Sequence, residues 1–169
     1  MARISRRQFK KALGLSVAAL TFPNLAFGAK PKVAVIGGGA GGATAARLIS
    51  KETNGAIDVT LIEASKRYFT CFYSNLYLGG YRSYSSIGHN YYNLAVKHGI
   101  NIIHEWAVSV DTSRRLVKLE SGATIPYDRL ILSPGIDFKY DSIPGYSPDI
   151  QSRMPHAWKP GTQTQLLKS

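Results

Sequence analysis

The stretch Lys32-Val33-Ala34-Val35-Ile36-Gly37-Gly38-Gly39-Ala40-Gly41-Gly42 decides how the rest of the chain is read. Lys32 to Ile36 is a short, mostly β-branched apolar run, which predicts a strand buried on both faces of a parallel sheet. Five glycines and Ala40 follow at once, and they place the pattern GxGxxG on Gly37, Gly39 and Gly42. Behind them, Ala43 to Lys51 (ATAARLISK) predicts a helix with Ala46, Leu48 and Ile49 available to pack on the sheet. Glycine serves three needs in such a turn: a sharp strand-to-helix reversal, a backbone lying close to a pyrophosphate, and a helix lying near the first strand. The helix start then points unpaired N–H groups and a partial positive charge at the phosphates. Glycine-rich turns are common, so the pattern gains meaning only from its surroundings.

Those surroundings extend it. Asp58 to Ile62 (DVTLI) predicts a second strand that ends on Glu63, 21 residues past Gly42, with Ala64 behind it. An acid at that place accepts hydrogen bonds from ribose hydroxyls and repels a 2′-phosphate, which disfavours an NADP-type ligand. The bland alternative is a solvated strand end. From Trp106 onward, WAVSV, LVKL and ATIPY alternate with turns and predict a three-stranded antiparallel meander. An apolar strand follows, entered through Tyr127-Asp128 and left through Ser133-Pro134-Gly135. The expected fold is therefore α/β: a Rossmann-like dinucleotide-binding domain with a parallel sheet and an antiparallel meander, incomplete at its C-terminus.

The chain has 169 residues and is 44% hydrophobic, enough for one domain core. Its net charge of +11 suggests a nucleic-acid or membrane-surface binder until the charges are located. Five of the 21 basic residues and none of the 10 acids lie in the first 28 positions, which leaves +6 on the remainder. There Arg3, Arg6, Arg7, Lys10 and Lys11 precede an apolar run from Ala12 to Phe22 and a small-residue exit at Ala26 and Gly28. That is the layout of a cleaved export signal. The run rises about 16 Å as a helix, whereas a bilayer core takes roughly 20 residues, so no membrane anchor is expected. Ser5-Arg6-Arg7-Gln8-Phe9-Lys10 resembles the twin-arginine motif read by the export machinery, which implies a periplasmic destination. The expected organisation is a signal peptide at 1–28, the N-terminal part of the dinucleotide-binding domain at 29–150, and the start of a following domain at 151–169. No nucleic-acid partner is expected, and the four histidines show no metal spacing.

The strand, turn and meander, closed by YDRLILSPG, resemble the two-dinucleotide-binding-domain flavoproteins, in which the last turn approaches the flavin end of FAD. Residues 68–80 (YFTCFYSNLYLGG) hold the single cysteine, Cys71. Disulfide reductases of that superfamily carry a second cysteine five positions on, where this chain has Leu76, so an internal dithiol is excluded there. The segment is similar to the flavoprotein subunit of flavocytochrome c sulfide dehydrogenase, in which a lone cysteine after Tyr-Thr binds FAD covalently. GGGAGGATAA, VTLIEAS, SNLYLGG, KHGINIIHEWA, YDRLILSPGI, YDSIPGYS and MPHAWKPGTQT extend the similarity over about residues 30–167. The resemblance implies FAD held by Gly37, Gly38, Gly39, Ala40, Gly41, Gly42, Glu63, Ala64, Ala107, Val108, Ser133, Pro134 and Gly135, and bonded through Cys71 to the flavin 8α-methyl carbon. A thiolate is the nucleophile such a bond needs. The competing reading of Cys71 is a small buried hydrophobe. Seven tyrosines between Tyr68 and Tyr92 are expected to pack around the cofactor or against a partner.

The same resemblance implies sulfide as substrate, a redox-active cysteine pair beside the flavin, and a c-type cytochrome subunit as electron acceptor. Neither a second cysteine nor a haem-binding CxxCH occurs in these 169 residues. No catalytic residue is therefore assigned, no metal is expected, and the chain alone is expected not to turn over sulfide. Two alternatives stand beside this expectation: a non-catalytic dinucleotide-binding remnant, and part of a flavin-dependent NADH oxidoreductase.

Overall fold

The computed structural model describes residues 29–156, 158–159 and 161–169. The expected export signal, residues 1–28, lies outside the described residues. From Lys32 onward the order is β1 (Lys32–Ile36), α1 (Ala40–Glu52), β2 (Asp58–Ile62), β3 (Arg67–Phe69), α2 (Ser74–Leu78), β4 (Gly88–Asn90), α3 (Tyr92–His98), β5 (Asn101–Ile103), β6 (Ala107–Asp111), β7 (Leu116–Leu119), β8 (Thr124–Pro126), β9 (Arg129–Leu132) and α4 (Thr162–Leu166). Strands β5-β2-β1-β9, in that order, form one parallel sheet. The meander β6-β7-β8 is antiparallel, and β3 pairs with β4 in a separate antiparallel ribbon.

The alternation of side chains along β1 explains why it is apolar throughout. Val33 and Val35 point to one face with Val59 and Leu61 of β2, where Ala46 of α1 covers them and Ile49 packs alongside. Ala34 points to the other face with Ile62, where Val117 and Leu119 of the meander and Tyr127 close over them. The sheet is thus covered by a helix on one side and by the meander on the other, an α/β layering that matches the expected fold. Ile62 is 1% exposed between sheet and meander. Ile62→Val removes one methyl group there and is expected to cost about 1 kcal/mol in urea unfolding; an unchanged midpoint would contradict this packing.

The structure corrects two details of the helix. It begins at Ala40 rather than Ala43, because Gly39 takes an extended conformation at the cap and lets Ala40, Gly41 and Gly42 form the first turn. Leu48, expected to face the sheet, is 43% exposed. The buried positions of α1 are Gly42, Ala46 and Ser50, each four residues from the next, and Leu48 lies about 200° around the helix from Ala46. The short elements β3, β4 and β5 add to the expected architecture; three residues are too few to show a hydrophobic period. Among the described residues, no helix is long and apolar enough to cross a membrane.

Candidate functional site

The carboxyl ends of the parallel strands converge on the glycine turn. The Gly37 N–H donates to the Ile62 carbonyl (2.9 Å), the Ser133 N–H to the Ile36 carbonyl (2.8 Å) and the Glu63 N–H to the Ile103 carbonyl (2.9 Å). These bonds prolong the sheet ladder by one residue and tie the turn, the end of β2 and the end of β9 into one edge. Gly37 sits at φ +99°, where other residues are strained, and a Cβ on it would fall on the Ser133 carbonyl. A Cβ on Gly42 would fall on the Gly37 carbonyl. The first and last glycines of the pattern are thus needed for close backbone approach. Gly39 differs: a Cβ there would meet only Tyr68, 3.6 Å away, which leaves an open cradle in front of α1.

The start of α1 carries no side-chain cap and no acid in its first turn. Its amide groups therefore present an uncompensated partial positive charge to that cradle. Glu63 flanks the cradle, and its carboxylate is already oriented: Oε2 accepts from the Gly38 N–H (2.7 Å) and Oε1 from the Ser65 N–H (2.9 Å). The Tyr91 hydroxyl donates to the Gly38 carbonyl (3.0 Å) from a position only 6% exposed. Burial, and then the negative charge of Glu63, push the Tyr91 phenol well above the ordinary tyrosine range, so it stays a donor. His104 lies 3.1 Å through Nδ1 from the Glu63 carbonyl, and its ring packs on Tyr91 with centroids 5.7 Å apart. A carbonyl only accepts, so this contact is a hydrogen bond when Nδ1 carries the proton. The sequence counts Tyr91 only as one of seven tyrosines expected around the cofactor or a partner and gives His104 no role; neither has a distinguishing spacing, and the ends of β4 and β5 bring them here.

The other predicted positions divide into two groups. Ser133 joins the turn, its Oγ 2.8 Å from where a Gly41 Cβ would lie, and the chain bends away through Pro134 and Gly135, the latter at φ +81°. Ala64 bridges Glu63 to Ser65. The contacts that hold the turn, Glu63 and Ser133 together do not include Cys71, Ala107 or Val108. Ala107 packs on the meander side of the sheet, and Val108 is exposed at a register shift between Ala107 and Ser109. Cys71 is exposed, not the buried hydrophobe of the competing reading. Its backbone is held: its carbonyl accepts from both the N–H (3.2 Å) and the hydroxyl (2.9 Å) of Ser74, and the neighbouring Thr70 N–H donates to the Ile87 carbonyl (2.9 Å). Tyr73, two residues on, sits at φ +68°, a costly conformation for an aromatic residue, with the Arg82 guanidinium 4.4 Å above its ring. Of the seven tyrosines, Tyr84 stacks on Phe69 and Tyr77 packs on Tyr84, while Tyr81 is 84% exposed. Among the described residues, no group of three His, Cys, Asp or Glu could hold a metal ion.

An open cradle at Gly39, an uncapped helix start and a pre-oriented carboxylate suit a dinucleotide with a pyrophosphate and a ribose. Fold and site together define a Rossmann-like dinucleotide-binding protein. The pyridine nucleotide-disulphide oxidoreductase profile matches residues 31–162, and the chain belongs to that family of FAD-binding oxidoreductases. It is 29% identical over 114 residues to the mitochondrial sulfide:quinone oxidoreductase of Mus musculus, covering 68% of this chain and 25% of that protein. The solved sulfide:quinone oxidoreductase of Aquifex aeolicus superposes with a TM-score of 0.58 at 31% identity, over 65% of this chain and 25% of that one. The water-forming NADH oxidase of Lactobacillus brevis gives 0.65 at 27% identity, over 82% and 31%. The chain spans about a quarter of the length of the curated relative it matches.

Proposed function

We propose that this chain is the FAD-binding part of an exported, periplasmic flavoprotein that oxidises sulfide and passes the electrons through FAD to a c-type cytochrome subunit. The observation that carries the cofactor assignment is the Glu63 carboxylate fixed on the Gly38 amide beside the uncapped start of α1. Similarity to two sulfide:quinone oxidoreductases supports sulfide as the donor. In this reading the amides from Gly39 to Gly42 receive the pyrophosphate, Glu63 accepts from the ribose, and Ala64, Ala107 and Val108 complete the cofactor contacts. Ser133, Pro134 and Gly135 would take the flavin end, and Cys71 would tether the flavin through a thioether, its sulfur replacing one hydrogen of the 8α-methyl group while the two electrons released pass to the flavin and on to its acceptor. Bound FAD supplies two-electron acceptor chemistry. The chain's own residues bind it, orient it and aim the Glu63 carboxylate toward the ribose.

A second reading keeps sulfide and replaces the cytochrome by a quinone, because both sulfide-oxidising relatives act on quinones by name. Anaerobic addition of sulfide to the native holoprotein separates the possibilities. Bleaching of the flavin band by sulfide, and its recovery on adding oxidised c-type cytochrome, is the expected result. Recovery with a soluble quinone alone would favour the second reading, and bleaching by NADH but not by sulfide would overturn both. Glu63→Gln keeps the side-chain shape but removes the charge. It is expected to weaken FAD binding about tenfold, the loss of a charged hydrogen bond, in a fluorescence titration of flavin-free apoprotein that also carries Cys71→Ser; unchanged affinity would remove Glu63 from the site.

A further inference from the structure

We infer that Tyr91 is a positioning residue that sets this site's preference for a ribose with a free 2′-hydroxyl, acting through Gly38 on Glu63. The inference rests on the reading above, in which Glu63 receives the ribose. Gly38 is gripped at both ends: Glu63 Oε2 accepts from its N–H, and the Tyr91 hydroxyl donates to its carbonyl. Glycine has the widest choice of backbone angles, so without both grips neither neighbouring peptide would have a set direction. The Gly38 carbonyl and the Gly39 N–H share one planar trans peptide and point to opposite sides of it. Drawing that carbonyl toward Tyr91 therefore turns the Gly39 N–H the other way.

Tyr91 also supports the carboxylate sterically. A Cβ on Gly38 would lie 2.6 Å from the Tyr91 hydroxyl and 2.8 Å from Glu63 Cγ, so the three groups occupy one packed volume. The groups facing the phenol are Glu63, Tyr68 and His104; burial first, and then the charge of Glu63, keep the phenol protonated. Tyr91 caps α3 through its own carbonyl, which accepts from the Leu94 and Ala95 amides at 3.0 and 3.1 Å, so its backbone is fixed by an element separate from the glycine turn.

The test compares ADP with 2′-deoxy-ADP as probes, titrated calorimetrically against flavin-free apoprotein of the wild type, Tyr91→Phe and Glu63→Gln. Wild type is expected to prefer ADP about tenfold, the value of one hydrogen bond to a carboxylate. Tyr91→Phe is expected to lower that ratio to about threefold or less, whereas a purely structural role would weaken both probes equally and leave the ratio intact. An intact ratio in Tyr91→Phe overturns the inference. Absence of any preference in wild type overturns the assignment of Glu63 to the ribose, and the role of Tyr91 with it; a wild-type preference that Glu63→Gln abolishes and Tyr91→Phe preserves overturns the role of Tyr91 alone. Amide hydrogen exchange at Gly38 in the unliganded wild-type chain needs no variant. Slow exchange is expected, and exchange at the rate of an open loop would show that the grip is not formed in advance.

Discussion

Gly42→Ala abolishes FAD binding and destabilises the domain by about 3 kcal/mol or more, the upper range for forcing extra volume into a packed site. The added methyl group would overlap the Gly37 carbonyl, which is backbone and cannot rotate aside. Gly37 has little freedom to retreat, because its N–H is bonded to the Ile62 carbonyl and its α-carbon faces the Ser133 carbonyl. Relief therefore requires α1 to move away from β1, which opens the cluster of Val33, Val35 and Ala46. Gly41→Ala is the control: its methyl group would meet only the Ser133 hydroxyl, which can turn to another rotamer, and a cost below about 1 kcal/mol is expected. Urea unfolding of the two variants, with FAD titration of each, checks the contrast. Equal midpoints would mean that α1 does not lie as close to the first strand as described.

If Cys71 carries the proposed thioether, Cys71→Ser is expected to eliminate covalently bound flavin from the holoprotein while leaving the fold in place. A serine hydroxyl is not ionised near neutral pH, so it cannot supply the nucleophile that a thiol supplies as thiolate. Cys71 is exposed, and its neighbours are held through its carbonyl rather than its sulfur, so the stability change should stay within about 0.5 kcal/mol. Intact-mass analysis and peptide mapping give the readout: an FAD-sized addition on the wild-type peptide that contains Cys71, and none in the variant. A wild-type peptide without the addition, or a variant that retains it, would defeat the proposed thioether.

Much of this was legible from spacing alone. β1, β2 and β7 fall on the residues predicted for them: β1 and β2 carry the apolar run of strands in a covered parallel sheet, while β7 buries Val117 and Leu119 and exposes Lys118, as a half-covered antiparallel strand does. The glycine turn and Glu63 meet as expected, since both lie at the carboxyl ends of adjacent parallel strands whose register runs from Lys32 beside Asp58 to Ile36 beside Ile62. Leu48 was misassigned because any apolar residue on a short helix looks available for packing until the helix phase is known. The hold of Tyr91 on Gly38, and any part for His104, were invisible for a different reason: they lie in contacts made 53 and 41 residues away along the chain.

The amino-acid sequence by itself determined the strand–glycine–helix unit, the acid that follows it, the meander and the single cysteine, because each is a local matter of period, spacing or count. Only the tertiary structure decided which face of α1 meets the sheet, that the meander covers the sheet's second face, that Cys71 is exposed on a fixed backbone, and that Tyr91 and Glu63 grip Gly38 from two sides. Those facts depend on which distant segments pack against each other, and the residues of one segment can show that it is buried without showing what buries it.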